Sequence, residues 1–229
     1  MTMKARTSGI VAECIFSFVF VLFFVSPLVA QEKQDALKTY RQGRDMEARG
    51  RTVEANQLYE TAVRICKEEI SQNATNMDSY TVLTWTLLRQ KKFAEVLEWG
   101  LKALKINQND YRVIESLGEA YFYLEDYRES LKQMQRYVDS APQGERVSVA
   151  YFFMGEIYRI QRKPKHADIA YTTAVQMEPS LSLWWYRLGI ARELGAEYAS
   201  AVVAFERALK INPNYKEAAE ALERVKKRV

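Results

Sequence analysis

Histidine and cysteine are scarce in this sequence. One histidine, His166, and two cysteines, Cys14 and Cys66, occur among 229 residues. Zinc sites draw their ligands largely from these residue types, and most activated nucleophiles need a histidine or another base within hydrogen-bonding distance. The sequence also has no Gly-rich phosphate loop and no cluster with metal-ligand spacing. We therefore predict a protein that is not an enzyme and that holds no cofactor and no metal.

Glycine and proline are infrequent as well, with 9 and 5 copies, whereas 48% of the residues are hydrophobic and 27% are charged. Such a chain has few turn-forming residues, and those it has recur at regular positions: Gly118, Gly155, Gly189, Pro142, Pro179 and Pro213. This distribution predicts an all-α protein without a disordered linker. The formal net charge of +4 is too small an excess to indicate a nucleic-acid partner.

A period of 34 residues organises the carboxyl-terminal half. When the segment 182–215 is aligned with the segment 34 residues earlier, eight positions carry residues of similar type. The first set is Trp185, Leu188, Gly189, Tyr198, Ala201, Phe205, Ala208 and Pro213. The second set is Tyr151, Met154, Gly155, Pro164, Ala167, Tyr171, Ala174 and Pro179. Apolar residues within each segment recur at helical spacing, which predicts two amphipathic helices.

Small residues in this pattern predict a close helix pair. Gly189 and Ala201 are small where the two helices of a hairpin approach, and Phe205 and Trp185 are expected to fill the remaining space. Pro213 has no N–H group and ends the second helix.

This pattern resembles the tetratricopeptide repeat, a helix-turn-helix unit that stacks into a solenoid. The resemblance implies an all-α, right-handed α-solenoid of about five repeats, at 36–69, 77–110, 111–144, 148–181 and 182–215. Residues 216–229 are predicted to form a capping helix, so that the repeat domain covers 31–229. The first two repeats depart from the pattern at Gln42, Met46, Thr84 and Gly100. Extra residues are expected at Ile70–Asn76 and around Gln143–Val147.

Residues 1–30 have the three parts of a secretory signal peptide. Lys4 and Arg6 precede an apolar run from 15 to 25, and Ala30 is the expected cleavage site. An uncleaved membrane anchor is the alternative, although the run is shorter than the ~20 residues that span a bilayer. Cys14 precedes the run and does not fit a lipidation site. Cys66 is then left alone and is predicted to pack in the core. We expect an exported protein in the periplasm of a bacterium, or one anchored to the membrane and facing the periplasm.

The resemblance also implies that the first helix of each repeat lines a concave groove. Its groove positions give the candidates for partner contact: Tyr40, Arg44, Trp85, Arg89, Arg112, Glu115, Glu119, Phe122, Tyr123, Phe152, Glu156, Arg159 and Tyr186. Aromatic and arginine side chains are typical of protein contact surfaces. In the alternative, four aromatic residues pack within the solenoid: Trp85, Phe122, Phe152 and Tyr186.

Function must then lie on a surface. The main hypothesis is a scaffold or adaptor of the cell envelope that binds a protein or peptide in the groove, and the rival is a carrier of an apolar small molecule. The family's clamp for chaperone tails is not expected, because Arg44 and Trp85 stand where its asparagines would be. The mild charge also disfavours an RNA-binding repeat. A homo-oligomer remains open, and membrane contact is expected only through an uncleaved amino-terminal segment.

Overall fold

The computed structural model describes Thr2 and residues 35–229. The chain divides into two units, 1–33 and 34–229, and the second is described below. The predicted signal segment 1–30, with Cys14, lies outside the described residues apart from Thr2.

Residues 35–229 contain eleven α-helices and no β-strand. The helices are α1 Ala36–Ala48, α2 Thr52–Gln72, α3 Met77–Arg89, α4 Phe93–Ile106, α5 Tyr111–Tyr123, α6 Tyr127–Ser140, α7 Val147–Ile160, α8 Pro164–Met177, α9 Ser182–Leu194, α10 Tyr198–Ile211 and α11 Lys216–Lys226. The predicted all-α class is confirmed. Over this part of the chain, none of the helices combines the length and the hydropathy that a membrane crossing requires.

Short polar side chains begin several of these helices. The Asp35 carboxylate accepts a hydrogen bond from the Lys38 N–H at 2.6 Å, and Asp110 accepts from the N–H groups of Arg112 and Val113 at 3.1 and 3.3 Å. These bonds satisfy N–H groups that have no partner within the first turn of a helix.

The two helices of every hairpin are joined by a short turn that contains one residue with a positive φ. In the first hairpin this residue is Gly50, with φ 74°. In the other four it carries a side chain: Lys91, Glu125, Arg162 and Ala196, with φ between 55° and 63°. The left-handed conformation is unfavourable for residues with a Cβ atom. Four of the five turns are therefore strained, and helix packing on both sides holds them in place.

Close contact within a hairpin depends on the repeated glycine. The Tyr171 ring lies over Gly155, where a Cβ atom would come within 2.6 Å of Tyr171 Cδ1. The Phe205 ring covers Gly189 in the next hairpin in the same way. Phe205 fills this space as expected, but the buried tryptophan of α9 is Trp184. Trp185, predicted for that role, is half-buried and donates its Nε1–H to the Pro179 carbonyl at 2.9 Å.

The hairpins stack so that the odd-numbered helices form one layer. Each helix packs against the next along the chain, and each odd-numbered helix also contacts the next odd-numbered one, from α1 to α11. The even-numbered helices, by contrast, do not contact one another within 35–229. They therefore splay apart, and the odd-numbered layer lies on the concave side. This arrangement confirms the predicted repeat solenoid, with α11 covering α9 and α10.

Part of the extra segment expected between the first two hairpins belongs to α2. Ile70 is buried in the last turn of α2, because that helix continues to Gln72. Cys66 is fully buried on the same helix, as predicted, and burial raises the pKa of its thiol to about 12.

Candidate partner-binding surface

All of the candidate contact residues lie on odd-numbered helices. We call the solvent-facing side of the odd-numbered layer the inner face. Tyr40 and Arg44 are on α1, Trp85 and Arg89 on α3, and Tyr186 on α9. The remaining candidates are on α5 and α7: Arg112, Glu115, Glu119, Phe122, Tyr123, Phe152, Glu156 and Arg159. The periodic sequence thus brings them to one layer, but their environments differ.

Most of the aromatic candidates contribute to packing between helices. Tyr40 is buried, with its ring centroid 6.0 Å from that of Trp85 and 6.1 Å from that of Tyr59. Phe122 lies 4.9 Å from Phe153, Phe152 stacks on Trp184 at 4.9 Å, and Tyr186 lies 5.1 Å from Tyr215. These distances are those of favourable aromatic pairs. Trp85, Phe122, Phe152 and Tyr186 are half-buried, so part of each still reaches solvent.

Tyr123 is the exception among these rings. It is 49% exposed, at the carboxyl-terminal end of α5, and it stacks on Phe93 with centroids 4.5 Å apart. Two aliphatic residues occupy the corresponding ends of the next two odd-numbered helices, Ile160 with 40% exposure and Leu194 with 55%. The inner face therefore carries an apolar strip from α5 to α9 that is formed by Tyr123, Ile160 and Leu194, and we call this strip the apolar edge.

Three of the four candidate arginines are paired with carboxylates. Arg89 Nη1 lies 3.7 Å from Glu47 Oε2. Arg112 donates from Nη2 to Asp110 Oδ2 and from Nη1 to Asp78 Oδ1, both at 2.9 Å, and thus joins α3 to the start of α5. Arg44 is exposed and has no hydrogen bond or ion pair with any residue in 35–229.

Glu115 and Glu119 share one arginine that the groove positions did not predict. Arg146, immediately before α7, donates from Nε to Glu115 Oε1 and from Nη2 to Glu119 Oε2, both at 2.7 Å. Glu115 is only 2% exposed. Burial raises the pKa of the Glu115 carboxyl to about 7, while the charge of Arg146 opposes this rise and the charge of Glu119 adds to it. The sequence signal for Arg146 is its place in the insertion Gln143–Val147.

A second charged group lies between α7, α8 and α9. Glu156 is 7% exposed; its Oε2 accepts from Arg159 Nη2 at 2.8 Å, and its Oε1 accepts from the Tyr171 hydroxyl. Arg187 Nε lies 3.1 Å from the same Oε1. Burial and the charge of Glu156 raise the pKa of the Tyr171 phenol. Arg187 was not a candidate, although it follows the candidate Tyr186 directly.

The two groups differ in what they offer a ligand. Arg146 already faces two carboxylates, whereas Glu156 faces two arginines. Within the described residues, no three histidine, cysteine or acidic side chains are placed to hold a metal ion. The inner face presents side-chain charge, aromatic surface and the apolar edge to solvent.

Comparison with known proteins supports the repeat architecture. A family model described as tetratricopeptide repeat matches residues 148–181 and 185–215, which cover most of the hairpins α7/α8 and α9/α10. A search of curated protein sequences finds no match to the chain.

Solved structures share the fold at low sequence identity. PilF of Pseudomonas aeruginosa has a TM-score of 0.66 and 16% identity over 84% of this chain and 83% of its own. MamA of Desulfovibrio magneticus RS-1 has a TM-score of 0.61 and 18% identity, with coverage of 80% and 99%. YrrB, described as a repeat protein with an unusual peptide-binding site, has a TM-score of 0.61 and 16% identity, with coverage of 85% and 95%. Likeness at this identity establishes the fold alone.

Proposed function

We propose that this chain, in which two hairpins match the tetratricopeptide repeat model, is a non-catalytic scaffold that binds a protein or peptide partner on its inner face. The observation that carries the proposal is the apolar edge formed by Tyr123, Ile160 and Leu194, together with the unpaired Arg44 of α1 and the half-buried rings of the same layer. Exposed aromatic and arginine side chains on a concave surface provide rigid contact area for a partner. A peptide-binding site described for the structural neighbour YrrB agrees with this use of the fold.

The geometry favours a macromolecular partner over an apolar small molecule. A carrier would need an enclosed apolar cavity, since ligand sites bury most of the ligand surface. In residues 35–229, Phe122, Phe152 and Tyr186 instead fill the space beside them with other rings. A cavity of about 310 Å³ between α8, α9 and α10 is open and lined in part by charged side chains, among them Asp168 and Arg192.

We place the scaffold in the bacterial cell envelope. This proposal is supported by the order of residue types in 1–30: basic residues come first, an apolar run follows, and a small residue stands at the expected cleavage site. Sequencing the amino terminus of protein recovered from its host tests this directly. A start at Gln31 agrees with export and cleavage, whereas an intact amino terminus favours a membrane anchor.

The test of the inner face is recovery of a cross-linked partner from envelope extracts by the tagged chain and two variants. In the first variant, Arg44→Glu is combined with Tyr123→Ala, since both side chains are exposed on odd-numbered helices. The matched control combines Val203→Ala with Lys210→Glu on α10, in the outer layer. We expect the first variant to lose the partner that the wild type and the control recover, at a temperature at which circular dichroism shows all three chains folded. If only the control variant fails to recover the partner, the partner binds to the outer layer and not to the inner face.

A further inference from the structure

The group around Glu156 has more positive than negative charge. One carboxylate faces two guanidinium groups, with Arg159 Nη2 at 2.8 Å and Arg187 Nε at 3.1 Å. The next acidic residue of the inner layer, Glu193, is already held by Arg224, which donates two hydrogen bonds of 2.7 Å to it. The two guanidinium groups therefore share one carboxylate, which leaves a net positive charge in this group of three side chains.

The two arginines also keep unused hydrogen-bond donors. Nε of Arg159 and Nε of Arg187 are both buried, and neither makes a hydrogen bond within the described residues, although Arg187 Nε lies 3.1 Å from Glu156 Oε1. A guanidinium group has five N–H donors in a planar fork, which suits two-point contact with an oxyanion. The two side chains remain 24% and 32% exposed, so part of each is accessible to a ligand. A second oxyanion beside them would balance the charge of this group.

Apolar side chains flank this charged group. Leu183, 43% exposed, lies one helical turn before Arg187 on α9, and Ile160, 40% exposed, directly follows Arg159 on α7. The Tyr186 ring lies 5.8 Å from the Arg187 guanidinium carbon. A ligand that reaches the two arginines must therefore also contact apolar surface.

We propose that Arg159 and Arg187 form a subsite for the carboxylate of an acidic residue, flanked by an apolar residue, in the partner of the inner face. The subsite rests on the proposed function, because it lies on the same surface. The odd-numbered layer continues to α5 on one side and to α11 on the other. A bound chain therefore extends past the subsite in both directions, and an internal aspartate or glutamate side chain suits it better than a terminal carboxylate.

Selection of peptides tests the chemistry without knowledge of the natural partner. The probe is a display library of random twelve-residue peptides, each held at both ends, screened against the purified full chain. We expect the binders to contain an aspartate or glutamate beside an aliphatic or aromatic residue. Changing that acid to its amide should weaken binding by roughly ten- to hundredfold, the value of a charge-assisted hydrogen bond. A second synthetic peptide has no aspartate or glutamate and carries its only carboxylate at a free carboxyl terminus. It tests whether the subsite binds a terminal carboxylate instead of a side-chain carboxylate.

Two variants separate recognition from a purely structural role. Arg187→Gln should remove the preference for the acidic over the amide peptide. Glutamine has nearly the same shape as glutamate, but Glu156→Gln removes the carboxylate charge that competes with the peptide for the two arginines. This variant should therefore bind the acidic peptide more tightly and the amide peptide with unchanged affinity. Lys210→Gln, on α10 in the outer layer, is the control and should keep the preference.

Other outcomes would overturn the subsite. Binders without acidic residues, a preference that survives Arg187→Gln, or weaker acid binding after Glu156→Gln would each contradict it, while the proposed function would stand. Tighter binding of the free-terminus peptide would contradict the choice of a side-chain carboxylate. The substitutions at Arg44 and Tyr123, and the substitution at Arg187, should each weaken binding of selected peptides. If none of them does, the peptides do not bind to the inner face, and the proposed function is contradicted together with the subsite.

Discussion

Arg146 and Glu115 are 31 residues apart in sequence, and the Arg146 Nε atom donates a hydrogen bond of 2.7 Å to Glu115 Oε1. The bond joins the start of α7 to the middle of α5 across the boundary between two repeats. Glu115 is buried, so the charge of Arg146 compensates a carboxylate that has little contact with water.

We expect Arg146→Ala to lower the free energy of unfolding by about 3 kcal/mol, since it leaves a buried carboxylate without its cation. Urea unfolding followed by circular dichroism measures this loss. The double variant Glu115→Gln with Arg146→Ala removes both charges and should recover a large part of it. If the double variant is as unstable as the sum of the two single variants, the two residues are not coupled.

The same carboxyl predicts a pH dependence of stability. The folded pKa of Glu115, about 7, is above the ordinary value, so the folded chain binds this proton more tightly than the unfolded chain. Its contribution is then complete at low pH and is lost as the pH rises through 7. We expect the free energy of unfolding to fall between pH 5.5 and pH 8 through this group. Glu115→Gln should flatten that part of the profile, and an unchanged profile would show that another group titrates.

Arg112 is expected to be structural more than partner-binding. Arg112→Glu would break its bonds to Asp78 and Asp110 and place a third negative charge beside the residue that caps α5. We expect a loss of about 2 kcal/mol in the free energy of unfolding. Arg44→Glu, which breaks no side-chain hydrogen bond or ion pair within the described residues, should change stability by less than about 0.5 kcal/mol. Equal effects of the two substitutions would contradict this assignment.

The strained turns predict a stabilising substitution. Ala196 has φ 60° and Gly50 has φ 74° at corresponding positions of two hairpins. Ala196→Gly should raise the free energy of unfolding by up to about 1 kcal/mol, because the relief of left-handed strain exceeds the added entropy of the unfolded chain. The reciprocal change, Gly50→Ala, should lower it by a similar amount. Thermal melts of the two variants check both signs, and a loss of stability in both would show that packing outweighs backbone strain.

Cys66 should be unreactive in the folded protein. Its thiol is buried and its pKa is raised to about 12, so the nucleophilic thiolate is rare at pH 8. With Cys14 replaced by serine, we expect a thiol reagent to modify Cys66 only at the rate of unfolding. Adding urea should accelerate the reaction, and fast modification without denaturant would contradict the burial of this residue.

The sequence by itself determined the helices and their order. Glycine, alanine and aromatic residues at a 34-residue spacing encode close helix pairs, because contacts between neighbours along the chain are local and every hairpin repeats them. The ring of Tyr171 over Gly155 is one such contact. The same periodicity assigned all of the candidate contact residues to odd-numbered helices, and their role in binding stays a prediction.

Only the tertiary structure decided which of those side chains remain available. Glu115 and Glu156 occupy groove positions by periodicity, yet each is buried against arginines that come from another helix or from an insertion. Trp184, and not Trp185, packs on Phe152 because the rotation of α9 is set by its neighbours on both sides. A repeat pattern fixes spacing along the chain, whereas ion pairing and exposure depend on residues about thirty positions away. That is why Arg146 and Arg187 became evident only in the folded chain.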